Sequence, residues 1–163
     1  MPNLSLLLTA EPLVQLHVLG ATLSILLLPF VLLRRRRDRM HRIGGYIWVC
    51  AMATTALSSF GITGNGTFGP FSPIHGLSVL TLIGLFHGLR LAIRRNRVGH
   101  QKAMQNLAFW ALGVAGALSF MPDRLMNRVF FPDAPDNGFF YVVVLGAAAG
   151  GMAQYFTQRA TGR

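Results

Sequence analysis

Residues 72–93 form an apolar stretch with two histidines, His75 and His87, inside it. A run of roughly 20 apolar residues is what the hydrocarbon core of a bilayer requires of a helix. An ionisable side chain at such depth is expensive to insert and marks a functional site by default. The groups that His75 and His87 face therefore become the central question for function.

Composition supports a membrane setting. Of the 163 residues, 52% are hydrophobic and only 12% charged, about half the charged share of roughly 25% in soluble domains. The net charge of +10 does not point to nucleic acid. Nucleic-acid binding needs a basic face on a soluble fold, whereas here the positive residues sit in runs between apolar segments. The one cysteine, Cys50, lies inside an apolar run, so no intrachain disulfide and no cysteine metal cluster is expected. The start, Met1-Pro2-Asn3-Leu4, lacks the basic region of a secretory signal, and the first apolar segment is expected to be retained.

Taken in order, the chain predicts an all-α, polytopic transmembrane bundle with a single integral membrane domain over residues 1–163. Five spans are expected, at residues 12–33, 43–62, 72–93, 104–121 and 138–157. Spans one to four are expected as a four-helix bundle, with the fifth alongside. The basic blocks Arg34 to Arg42 and Arg94 to Lys102 and the tail with Arg159 and Arg163 alternate with a charge-free Gly- and Pro-rich loop and an acid-containing loop. Arginine-rich loops stay cytoplasmic, which places the N-terminus outside and the C-terminus inside a bacterial inner membrane. Gly84 and Gly88, and Gly146 and Gly150, each lie four apart on one helix face, where backbones approach closely within one subunit or between two.

Depth sorts the histidines, given a helical rise of about 1.5 Å per residue. His17 and His75 fall near the outer ends of spans one and three, and His41 and His100 near the inner ends of spans two and four. In a four-helix bundle these are diagonal pairs. Two histidines on opposed helices at one level are what bis-imidazole haem ligation requires, so haem b with two such levels is the expected cofactor. His87, roughly 18 Å along the helix from His75 and about 120° round it, is an alternative inner ligand, a quinone partner or a proton carrier. Arg124 is a clamp for an anionic group such as a haem propionate, a quinone oxygen or a lipid phosphate; its plainer reading is a loop cation paired with Asp123.

The bland readings stand beside these. His41 and His100 sit among arginines and also suit solvated interfacial contacts. His17 and His75 also suit interhelical hydrogen bonds. No carboxylate or thiol accompanies the histidines within the spans, so a four-ligand zinc site is difficult to assemble and no metal other than haem iron is expected. With no acid inside a span and no nucleophile elbow or phosphate loop, hydrolysis finds no support. Thr54, Thr55, Ser58 and Ser59 read as packing hydroxyls bonded to their own backbone.

Five short stretches carry a resemblance: Met40-His41-Arg42-Ile43-Gly44, Ala56-Leu57-Ser58-Ser59-Phe60, Phe71-Ser72-Pro73-Ile74-His75, Gly99-His100-Gln101-Lys102-Ala103-Met104 and Met121-Pro122-Asp123-Arg124. From His17 to Arg128 the chain resembles the small bacterial integral membrane proteins grouped as domain of unknown function 2306. The resemblance implies a polytopic inner-membrane protein and supplies no activity. Three functions are expected to compete: a b-type haem electron-transfer protein, a non-catalytic accessory or assembly subunit of a larger membrane complex, and a quinone- or lipid-binding protein without haem.

Overall fold

The computed structural model describes residues 2–34, 38–62, 73–134 and 137–146, and these are helical with no strand among them. Two compact units divide the chain, one over residues 9–115 and the other over residues 1–8 and 116–163.

The larger unit begins with α2, Pro12–Leu33, which follows the single turn α1, Ser5–Leu8. Pro12 stands in the first turn of α2, where a missing N–H costs no helical hydrogen bond. Pro29 lies inside the helix without ending it. Next comes α3, Arg39–Ser59, which starts four residues before the expected 43 because Asp38 caps it, accepting from the His41 N–H at 3.0 Å. The basic block thus supplies the first turn of a helix. The third helix, α4, runs Pro73–Ile93.

The expected second basic connection, residues 94–102, is also shorter than its charge suggests. Arg95 has φ 57°, the left-handed conformation that often closes a helix. The Asn96 N–H bonds the Leu91 carbonyl and the Arg95 N–H that of Ala92, each at 3.0 Å. Asn96 then caps the next helix, accepting from Gly99 N–H at 2.9 Å. With both caps in three residues, α5 begins at Arg97 rather than at 104 and runs to Leu107. It passes into a π-helical stretch, Ala108–Val114, and then the short α6, Ala115–Leu118.

Within this unit α2 packs on α3, α3 on α4 and α4 on α5, while α5 and the π stretch return to α2. The core draws on all four α-helices: Val31, Trp48, Met52, Leu85, Met104 and Leu107. Close approach of α2 and α3 depends on Gly20, whose missing Cβ would stand 2.6 Å from Thr55 Oγ1 and 3.1 Å from the Ala51 carbonyl oxygen. Trp48 is fully buried and donates its indole N–H to the Ser24 carbonyl, four residues along α2, at 3.0 Å.

The smaller unit contains α7, Leu125–Phe130, and α8, Asn137–Gly146. The Asn3 N–H bonds the Val129 carbonyl at 2.7 Å, and buried Asn127 donates to the Phe120 carbonyl at 2.6 Å. Phe131 stacks on Tyr141 with ring centroids 6.1 Å apart. Only the first part of the expected fifth span, 138–157, falls within the described residues.

Among the described residues, Pro12–Leu33 and His75–Ile93 are the helices long and apolar enough to cross a membrane. Only 17% of the apolar window of each is buried within the protein, whereas the core helix of a soluble protein would be mostly buried. Leu16, Leu19, Leu23 and Leu26 on α2 and Leu80, Ile83 and Phe86 on α4 are turned outward.

Candidate functional site

A cleft of about 490 Å³ lies between α4 and the α5–π segment. One wall is Leu77, Leu80, Thr81, Gly84 and His87, residues three or four apart that form a single face of α4. Ala103, Asn106, Leu107, Trp110 and Ala111 form the opposite wall with the same spacing. Below the cleft the helices touch where glycine permits it, with Leu107 packed over Gly84 and Met104 over Gly88. The Gly84 and Gly88 pair therefore serves packing within this unit. Above that level the second wall enters the π stretch, whose i→i+5 hydrogen bonds widen the helix.

The cleft is apolar apart from a few groups. Thr81 spends its hydroxyl on the Leu77 carbonyl at 2.8 Å, inside its own helix. His87, Asn106 and the Trp110 indole make no hydrogen bond among the described residues and are exposed toward the cleft and its mouth. Phe109 meets Trp110 edge to face with ring centroids 5.3 Å apart. A mostly apolar concavity of this size with a few polar groups has the character of a small-molecule site.

His17 and His75 both address the end of α3. His17 Nδ1 lies 3.2 Å from Ser58 Oγ. That hydroxyl donates to the Thr55 carbonyl at 3.1 Å, so its oxygen accepts and Nδ1 carries the proton. His75 is buried, its ring 6.0 Å from that of Phe60. The Ser59 and Ser78 hydroxyls are 2.7 Å apart and tie α3 to α4. The serines and Thr55 do bond their own helix backbone, but Ser58 and Ser59 also reach across to neighbouring helices.

His41 and His100 line one recess together with Val31, Leu32, Gln101 and Met104. His100 Nδ1 donates to the Gly88 carbonyl at 2.9 Å, which leaves Nε2 with the free lone pair. The recess measures about 10 Å³. The haem expectation finds no support in this geometry. Among the described residues no group of three or more His, Cys, Asp or Glu side chains stands together.

Arg124 belongs to the smaller unit, exposed ahead of α7. It forms no ion pair with Asp123 among the described residues, contrary to the plainer expectation; Asp123 itself turns the chain at φ 68°.

Residues 14–149 match the family described as predicted membrane protein (DUF2306). The chain belongs to that family. No curated protein and no solved structure matches the chain. As a DUF2306 protein its outward apolar flanks on α2 and α4 meet lipid. The sequence marks His87 but not Asn106 or Trp110 as its companions. Their spacing from Ala103 along one face was the available signal; the π stretch that widens the wall had none.

Proposed function

We propose that this DUF2306 protein is a multi-pass bacterial inner-membrane protein that binds a quinone-type lipid in the cleft between α4 and the α5–π segment. The carrying observation is that concavity: about 490 Å³, walled by apolar side chains and edged by His87, Asn106 and Trp110. A quinone is a flat apolar ring with two hydrogen-bond acceptors. The Asn106 amide, the Trp110 indole N–H and an imidazole N–H are donors suited to carbonyl oxygens. The ring suits the Leu80, Leu107 and Ala111 surface, and an isoprenoid tail can leave into surrounding lipid. The reading includes five spans, the first four as a bundle, with the N-terminus outside and the C-terminus inside.

Tryptophan fluorescence tests it, because Trp48 is fully buried in the core while Trp110 lines the cleft. Titration of the detergent-solubilised Trp48→Phe variant with a short-chain ubiquinone analogue should quench Trp110 saturably. His87→Ala in that background should weaken binding by roughly tenfold, the worth of one or two lost hydrogen bonds. Quenching that never saturates, or that is indifferent to His87, would overturn the assignment.

A further inference from the structure

The recess between α2, α3 and α5 lies apart from the cleft, and its chemistry is different. Two imidazoles, His41 and His100, and the thioether side chain of Met104 line a void of about 10 Å³. That volume is at or below the roughly 10–15 Å³ at which a water is housed. We infer that the His41, His100 and Met104 recess is a binding site for a single soft cation, copper(I).

His100 is already prepared as a ligand. Its Nδ1–H is held by the Gly88 carbonyl at 2.9 Å, so Nε2 carries the lone pair. A second-shell carbonyl on the far nitrogen is the usual device that fixes tautomer and ring direction in metal-binding histidines. Met104 is 97% buried, as its 3% exposure shows. It packs over the same Gly88, with its sulfur 3.6 Å from where a Cβ on that glycine would be. One glycine therefore positions two of the three donors: its carbonyl orients the imidazole and its missing side chain makes room for the thioether. His41 comes from the first turn of α3, whose start is fixed by the Asp38 cap.

The donor set selects the ion. Thioether and imidazole suit copper(I), while carboxylate and carbonyl oxygens suit magnesium, calcium and manganese. Zinc takes thiolate, imidazole or carboxylate ligands and in closed sites wants four. The carboxylate of Asp38, three residues ahead of His41, is held by Arg34 and the His41 N–H. Charge argues the same way. Arg39 and Arg42 flank His41 and Lys102 follows Gln101, so each added positive charge is disfavoured and a singly charged ion is opposed half as strongly as a divalent one.

The test uses the full chain in detergent, freed of any affinity tag and carrying Cys50→Ser so that the exposed thiol cannot capture the metal. Anaerobic titration with copper(I) against a chromogenic copper(I) chelator should give one tightly held ion per chain. His41→Ala combined with His100→Ala should abolish binding. Met104→Leu, which nearly conserves volume, should weaken it by roughly tenfold or more. X-ray absorption of the copper-loaded Cys50→Ser protein should show nitrogen and sulfur neighbours, and the sulfur should vanish in Met104→Leu. No stoichiometric binding, full binding in the double histidine variant, or a copper shell without sulfur would each overturn the assignment. None of these readouts depends on the quinone cleft, so either proposal can fail alone.

Discussion

Asp38 shows how much one side chain sets at the foot of α3. Its Oδ1 accepts from Arg34 Nε at 3.2 Å and from the His41 N–H at 3.0 Å, while Oδ2 meets Arg34 Nη2 at 2.5 Å. The Arg34 hydrogen bonds first, then the His41 amide and the attraction of the guanidinium, lower its pKa from 3.8 to about 2. A carboxyl whose pKa is depressed by folding contributes stability that is complete above its unfolded value and is lost as pH falls through the folded one. The cap should therefore persist at pH 5 and loosen between pH 3.8 and about 2. The His41 amide resonance should titrate near the lower value, and in Asp38→Asn, which still caps, that titration should disappear. A midpoint at the ordinary carboxylate pKa would refute the account. An acid inside a block of arginines is visible in the sequence. That it begins a helix there is decided by Asp38 at the cap position, three residues ahead of the amide it accepts from, which the surrounding charge conceals.

At the scale of elements, the contact between α2 and α3 is held by a glycine and an indole. A methyl on Gly20 would stand 2.6 Å from Thr55 Oγ1 and 3.1 Å from the Ala51 carbonyl oxygen. A side-chain hydroxyl can turn away, but the backbone oxygen moves only with its helix. Gly20→Ala should therefore destabilise by about 1–3 kcal/mol, the usual cost of overpacking. Thr55→Ala should recover part of that loss and leave the remainder that belongs to Ala51. Thermal unfolding in detergent measures both, and complete recovery in the double variant would show that the backbone contact is unimportant. The helices were legible where apolar runs were long, as in α2 and α4. The helices α3 and α5 begin ahead of the expected spans, inside the basic blocks, where a cap outweighs a cluster of charge. Placing His41 and His100 at one end required only the helical rise. The recess they share is also lined by Val31 and Met104 from other parts of the chain, and no spacing rule supplies that.

For the whole molecule, the proposed topology rests on the distribution of arginine. Reporter fusions after Gly66 and after Arg163 should report opposite sides, residue 66 outside and residue 163 inside. Both on one side would remove the five-span arrangement. The larger unit also has an asymmetry in how its cleft can move. The two walls, α4 and α5, are joined at one end by Arg94, Arg95 and Asn96, three residues held by hydrogen bonds from both helices. Such a joint permits little sliding and little parting at its own end. The walls behave as the arms of a pair of tongs, fixed at Arg95 and separable only toward Leu77 and Ala111. His87 lies close to that joint, so a quinone held there, as proposed, would sit where the two walls are least able to part.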